Sequence, residues 1–270
     1  RTIHLPWDKV RLGLEILEPF EARNYLFMIY CLNTSTIKPQ ALMDKIRLVG
    51  EAGYDGIELW LNDVWEHVAR GGEVSEIETA LEDHGLIVPS VIAMRQWGDF
   101  EGWEHQLVLD EARRRFALGA RLGAPFIVAT PPLEKEEIEH LPERYCELLE
   151  IGREEGIRPT FEYISFFKSA HTLSQAWEIV QRSGEPDATL ILDAFHNWNS
   201  ESTLDDLRKI PVDRISHYHI DDAVKGKAAG SQTDPDRVMI GDGQIDLAAE
   251  IEVLREIGYD GTVSLELFNS

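Results

Sequence analysis

The sequence contains few cysteines and no long apolar run. Its two cysteines, Cys31 and Cys146, have the spacing of neither a disulfide framework nor a zinc knuckle. No stretch of about 18 apolar residues is present, and the first ten residues do not contain the apolar core of a secretory signal. These absences predict a soluble, cytoplasmic protein with no membrane partner.

The sequence is also poor in positive charge. Its 26 Lys and Arg residues stand against 49 Asp and Glu residues, which gives a formal net charge of -23. Such an acidic chain repels a phosphate backbone, so nucleic acid is not expected as a partner. The length suits one domain, and 43% hydrophobic residues suffice for a large core. The composition carries no signal of oligomeric state, and a homo-oligomer is compatible with it.

Apolar, strand-like runs alternate with helical stretches along the whole chain. The first four runs cover residues 26–32, 56–60, 87–93 and 125–131, and four more contain PTFEYI, TLILDAF, ISHYHID and TVSLELF. Between them, helices are predicted over residues 40–52, 74–84, 104–122, 136–155, 172–183, 203–210 and 247–258. Eight strands that alternate with helices predict an α/β fold, a (β/α)8 TIM barrel with a closed parallel sheet.

The first residues of the chain have a different pattern. Trp7, Val10, Leu14 and Leu17 lie among charged residues, as on an amphipathic helix. No helical stretch follows the eighth predicted strand. We therefore expect residues 1–24 to form a helical segment on a barrel of residues 25–270, with residues 7–20 in the place of the eighth helix. An N-terminal flap is the alternative.

One acidic or imidazole side chain lies near the carboxyl end of each of the last four predicted strands. These residues are Glu162, Asp193, His219 and Glu266. A charge on a strand buried on both faces is costly unless it has a partner. In a barrel the carboxyl ends of the strands meet at one rim, where active sites lie. The four residues are therefore predicted to bind one divalent metal ion.

The proposed ligand set indicates which ion and which chemistry to expect. Three carboxylates and one imidazole suit Mn²⁺, Mg²⁺ or Co²⁺, with Zn²⁺ as a further option, and we expect Mn²⁺. Four protein ligands leave two positions open on an ion that prefers six. Those positions would bind the adjacent oxygens of an α-hydroxy ketone and stabilise the cis-enediolate formed when a base removes the intervening proton.

Four motifs in the last third of the chain carry a family resemblance. They are LDAFHNW at 192–198, YHIDDA at 218–223, DPDRVMIGDGQIDL at 234–247 and GYDGTVSLELFN at 258–269. With them the chain resembles the sugar isomerase and epimerase superfamily of xylose isomerase-like TIM barrels, and within it the inosose isomerase group. The resemblance implies a metal-dependent isomerase or epimerase that acts on a keto-polyol, an inosose or a ketose. It also implies that one of Glu162 and Glu266 takes a proton from the substrate and the other returns it.

Three further residues are candidates for substrate binding. The resemblance implies that His196 contacts a substrate oxygen and polarises a carbonyl or shuttles a proton; a histidine held by loop hydrogen bonds is the alternative. It further implies that Arg237 holds a substrate oxygen. The alternative is that Arg237 makes an ion pair with Asp236 or Asp242. Glu58, at the end of the second strand, would face the pocket or else make a cap or a salt bridge.

Other functions remain open at this point. The same enediolate can expel a hydroxyl group, which would make the protein a dehydratase of inosose or 3-dehydroshikimate, or a lyase of 3-keto-glycosides. The superfamily also includes DNA repair enzymes of the endonuclease IV type, but Val238 stands where their metal cluster needs a histidine. A non-enzymatic sugar-binding barrel would require a broken ligand set, and this set is intact.

Overall fold

A computed structural model describes residues 28–268 of the chain. Its eight barrel strands are β1 Ile29–Asn33, β2 Gly56–Trp60, β3 Ser90–Met94, β4 Phe126–Ala129, β5 Arg158–Phe161, β6 Thr189–Asp193, β7 Ile215–Ile220 and β10 Thr262–Leu265. They run parallel and close in the order β1-β10-β7-β6-β5-β4-β3-β2. In the loop after β7, β8 (Asp222–Ala223) pairs antiparallel with β9 (Arg237–Val238). The structure thus confirms the predicted TIM barrel.

Helices follow the strands around the outside of the barrel. They are α1 Leu42–Glu51, α2 Leu61–Ala69, α3 Val74–Asp83, α4 Gly102–Arg121, α5 Leu141–Glu155, α6 Leu173–Ser183, α7 Ala194–Asn199, α8 Leu204–Arg208 and α9 Leu247–Glu256. All seven predicted helices are present within a few residues, except that the fourth, which is α5, begins later. Pro142 lies in its first turn, where the missing N–H is tolerated, so the helix starts at Leu141 rather than at residue 136.

Two other features differ from the sequence-based expectations. Helices α2 and α7 were not predicted, because both begin directly at a strand end and are too short to show a clear helical period. Strand β3 begins at Ser90 rather than at residue 87, since Pro89 has no N–H to donate to a neighbouring strand. The predicted N-terminal helix at residues 7–20 and the boundary at residue 24 lie outside the described residues.

Buried aromatic side chains pack α5 against the barrel at strands β5 and β6. The rings of Trp97, Tyr145 and Phe161 are buried with centroids 5.8–6.2 Å apart. The Tyr145 hydroxyl contacts the carbonyl oxygens of Pro159 (2.9 Å) and Thr189 (2.8 Å), which ties α5 to both strands. Among residues 28–268, no helix combines the length and the apolar character needed to cross a bilayer.

Candidate metal centre

Four side chains from neighbouring strands meet at the carboxyl-terminal rim of the barrel. Glu162 directly follows β5, Asp193 ends β6, His219 lies within β7 and Glu266 directly follows β10. One ligand atom from each lies within 4.8 Å of the others, and all four residues are buried. The structure therefore brings together the four residues that the sequence nominated.

The Nδ1 atom of His219 lies at the centre of this group. It is 3.2 Å from Glu266 Oε2 and 3.6 Å from both Glu162 Oε1 and Asp193 Oδ2. This nitrogen is buried and makes no hydrogen bond. A buried, unbonded imidazole nitrogen that faces three carboxylates fits a metal ligand, because a bound cation would relieve both the missing contact and the repulsion among the anions.

The other nitrogen of the same ring is held by Glu58. His219 Nε2 lies 2.9 Å from Glu58 Oε2 and 3.1 Å from Oε1. A carboxylate at this position keeps the proton on Nε2 and leaves the Nδ1 lone pair for an ion, as in carboxylate–histidine–metal arrangements. Glu58 was expected to bind substrate or to make a cap or a salt bridge; it is fully buried, is not among the residues that line the cavity, and pairs with His217 and His219.

Glu58 has enough donors around it to explain its burial. Its carboxylate contacts His217 Nε2 (3.0 Å) and accepts hydrogen bonds from Asn33 Nδ2 (2.8 Å), Ser264 Oγ (3.0 Å) and Ser90 Oγ. Although burial opposes ionisation, His219 and His217 hold the pKa of Glu58 well below its usual range. Glu58, His217 and His219 form a second compact group of ligand-type residues, but these hydrogen bonds account for it without a second ion.

The two glutamates of the cluster have different environments. Glu266 Oε1 accepts a hydrogen bond of 2.8 Å from Asn33 Nδ2. The Glu162 carboxylate accepts no hydrogen bond from the described residues within 3.5 Å, although both glutamates line the cavity. Burial raises the pKa of Glu162 to about 7, with Glu266 and Asp193 adding to the rise and His219 opposing it.

Arg237 lies beside the cluster and binds the carboxylate of Asp193. Its Nη1 donates to Asp193 Oδ2 (2.8 Å) and to Asp221, and its guanidinium carbon lies 4.7 Å from the Phe195 ring centre. Of the two partners considered as alternatives, Asp236 pairs with Lys227 instead. Despite burial, Arg237 helps hold the pKa of Asp193 well below its usual range, so this carboxylate is ionised.

His196 is the third residue of α7 and lies beside the cluster. Its backbone N–H donates to Asp193 Oδ1 (2.8 Å), and its Nε2 lies 3.0 Å from Arg237 Nη2. A guanidinium can only donate, so Nε2 accepts from Arg237, while Nδ1 lies 3.0 Å from Ser165 Oγ and 3.4 Å from the Ser165 backbone nitrogen. Burial lowers the pKa of His196 to about 3. His196 is therefore a neutral, hydrogen-bonded histidine that also lines the cavity.

A cavity of about 600 Å³ lies above Glu162 and Glu266. This volume is within the range of small-molecule sites, about 300–1,000 Å³. Its lining includes the aromatic side chains of Trp60, Phe166, Phe167 and Phe268, as well as Arg237 and His196. The cavity can therefore offer apolar faces to a ring while presenting the cluster at one end.

The sequence reasoning missed Asn33, Ser165 and Asp221, all of which bond to residues of the site. Asn33 is the last residue of β1, a polar residue at a strand end like Asp193, and that signal was available in LNTST. Asp221 directly follows β7, in the YHIDDA motif. Ser165 lies in a loop after β5, and nothing in its local sequence indicates its contact with His196.

Comparisons with known proteins agree with this geometry. The sequence profile of a family described as xylose isomerase-like TIM barrel matches residues 46–270. The inosose isomerase of Halalkalibacterium halodurans is 28% identical over 249 residues, which cover 89% of this chain and 88% of that protein. The 3-dehydroshikimate dehydratase of Pseudomonas putida is 27% identical over 235 residues, 84% of this chain but 36% of that protein. A crystal structure of IolI protein with a bound zinc atom superimposes with a TM-score of 0.83 at 27% identity and 90% coverage of both chains.

Proposed function

The chain belongs to the xylose isomerase-like TIM barrel family, and from that membership we propose that it is a divalent-metal-dependent isomerase or epimerase of a keto-polyol. The proposed substrate is 2-keto-myo-inositol, an inosose. The observation that carries the proposal is the cluster of Glu162, Asp193, His219 and Glu266 at one end of a cavity of suitable size. The similarity to inosose isomerase over 89% of the chain supports the choice of substrate.

The proposed cofactor is one divalent ion on these four residues. Three carboxylates and one imidazole suit Mn²⁺ best, with Mg²⁺, Co²⁺ or Zn²⁺ as alternatives, and the similar IolI structure contains zinc. When bound, such an ion supplies a Lewis acid that polarises the carbonyl and hydroxyl oxygens of an α-hydroxy ketone. Glu58 and Arg237 serve this site indirectly, because they fix the tautomer of His219 and the charge of Asp193.

The reaction that fits this site is a proton transfer between adjacent carbons. A carboxylate beside the substrate takes the proton from the carbon that bears the hydroxyl group and returns a proton to the former carbonyl carbon. Trp60 and Phe268, whose rings lie 5.9 Å apart edge to face, would contact the ring of a cyclic polyol and exclude water. His196 and Arg237 line the cavity and are proposed to contact substrate oxygens.

A dehydratase is the alternative, favoured by the similarity to 3-dehydroshikimate dehydratase over 84% of this chain. Elimination of a hydroxyl group needs an acid to protonate it as it leaves. His196 is a poor candidate, because its Nε2 accepts from Arg237 and its Nδ1 is occupied by contacts with Ser165. Isomerisation needs no such acid, since a single carboxylate can take and return the proton.

The test follows the substrate proton in D₂O. The Mn²⁺-loaded protein is incubated with 2-keto-myo-inositol, the ion is removed after quenching, and the products are identified by proton NMR and mass spectrometry. Deuterium uptake beside the ketone with a new inosose is the expected result, and a product that lacks one water would show dehydration instead. Absence of exchange would reject inosose as the substrate. For that case, 3-dehydroshikimate and ketohexoses are tested in parallel. Glu162→Gln serves as the inactive variant and Glu252→Gln, an exposed glutamate of α9, as the matched control.

A further inference from the structure

Asn33 connects the metal cluster to the wall of the cavity. Its Nδ2 donates to Glu266 Oε1 (2.8 Å) and to Glu58 Oε2 (2.8 Å). Its Oδ1 accepts from the backbone N–H of Ser35 (3.0 Å) and from Trp60 Nε1 (2.9 Å). Both of these groups can only donate, so the orientation of the amide is fixed and its NH₂ group must face the carboxylates.

This amide restricts Glu266 but not Glu162. Glu266 Oε1 is bonded to Asn33, while Oε2 faces the cluster, 3.2 Å from His219 Nδ1 and 3.6 Å from Arg237 Nη1. Both oxygens of Glu266 are therefore committed. Glu162 points Oε1 at His219 Nδ1 (3.6 Å), and its Oε2 accepts no hydrogen bond from the described residues within 3.5 Å. The carboxylate of Glu162 lines the cavity and has one oxygen free to exchange a proton.

We propose that Asn33 makes Glu162 the single proton carrier of the reaction and restricts Glu266 to ligation. This inference rests on the proposed function, and it differs from the expectation that one glutamate takes the proton and the other returns it. The proton would then leave and return on one face of the substrate. Such a site moves a ketone to the neighbouring carbon, whereas inversion of one carbon needs a second proton carrier on the opposite face.

The step balances with Glu162 alone. The C–H proton passes to Glu162 Oε2, and the electrons of that bond form the C=C bond of the enediolate as the carbonyl oxygen gains charge. The C=C electrons then take the proton back from Glu162 at the former carbonyl carbon. The hydroxyl proton passes from its own oxygen to the former carbonyl oxygen, so no further reactant is required.

The configuration of the exchanged carbon tests this inference. Mn²⁺-loaded protein and 2-keto-myo-inositol in D₂O should give deuterium beside the ketone with retained configuration, together with the isomeric inosose. An epimer at the exchanged carbon, with deuterium delivered to the opposite face, would overturn the single-carrier assignment and leave the proposed function intact. Absence of exchange with every keto-polyol tried would instead reject the proposed function, and this inference with it.

Variants test which residue carries the substrate proton. Asn33→Ala should free Glu266 Oε1 and so yield the epimer, which Gln244→Ala, the loss of an exposed amide outside the cavity lining, should not. Glu162→Gln should lower the exchange rate by about 100-fold or more, whereas Glu266→Gln at saturating Mn²⁺ should retain it within about tenfold. Equal losses in the two variants would contradict the assignment.

A measurement without turnover separates the role of Asn33 from simple support of the site. Titration of free Mn²⁺ by electron paramagnetic resonance should show a smaller loss of affinity for Asn33→Ala than for Glu266→Gln, because Asn33 is not a ligand. An equal loss would mean that Asn33 acts by placing the ligand, and would overturn its role in proton transfer. The wild-type configuration measurement stands even if a variant does not fold.

Discussion

Replacement of Glu58 by Gln tests how the histidine ligand is prepared for the metal. Glu58 is fully buried, and its carboxylate faces His219 Nε2 at 2.9 Å. Glutamine keeps the shape of the side chain but removes the charge and replaces one acceptor oxygen by an NH₂ donor. Whichever way that amide points, some donors around it lose their acceptor. These donors belong to Asn33, Ser90, His217, His219 and Ser264.

The expected effect is a loss of metal affinity. Removal of the group that supports a metal-bound histidine typically costs 10–100-fold in affinity, or about 1.4–2.7 kcal/mol. The loss should grow as the pH rises. Burial lowers the pKa of His219, but Glu266 and Glu58 outweigh burial and raise it well above its ordinary value in the metal-free protein. Without Glu58, His219 therefore binds its proton less tightly, and that proton competes less with the metal. At low pH this partly offsets the lower metal affinity.

Isothermal titration of the metal-free protein with Mn²⁺ at several pH values measures both effects. Ser90→Ala is the matched control, because it removes one donor from the same carboxylate and leaves the contact with His219 in place. We expect it to change the affinity by less than about threefold. Wild-type affinity of Glu58→Gln at every pH would refute the reasoning.

Three further predictions concern the surrounding charges. Arg237→Lys keeps the charge but cannot bridge Asp193 and Asp221 in the same way, so it should lower the free energy of unfolding by about 3 kcal/mol in urea titrations. Burial raises the pKa of Glu250 to about 7 from 4.5. The free energy of unfolding, relative to that of Glu250→Gln, should thus be highest below pH 4.5 and fall by about 3 kcal/mol as the pH rises to 7. Equal urea unfolding curves of the two proteins across this window would contradict the prediction. Mn²⁺ binding should release a proton from His219 near neutral pH, and calorimetry in buffers of different ionisation enthalpy would reveal it.

The barrel itself was predictable because its strands are apolar runs with regular spacing. The meeting of Glu162, Asp193, His219 and Glu266 was predictable for a related reason: a charged residue at the end of such a run is costly without a partner. Short helices such as α7 were not, since fewer than two turns show no reliable period. The pairing of Arg237 with Asp193 and Asp221 also escaped prediction, because it depends on the path of a long loop that local sequence does not determine.

Glu58 shows why depth within the barrel is hard to predict. Glu162 and Glu266 lie just beyond the ends of their strands and reach the cavity, whereas Glu58 is the third of five residues in β2 and lies one layer lower. The sequence places all three near strand ends but does not show which layer each occupies. Asn33 was overlooked because a neutral amide lacks the charge that drew attention to the other residues.

Anomalous diffraction from crystals grown with Mn²⁺ tests the central claim most directly. The account predicts a peak bonded to His219 Nδ1 and to one oxygen each of Glu162, Asp193 and Glu266. The absence of a peak there, or a peak on the opposite side of the His219 ring between Glu58 and His217, would contradict it.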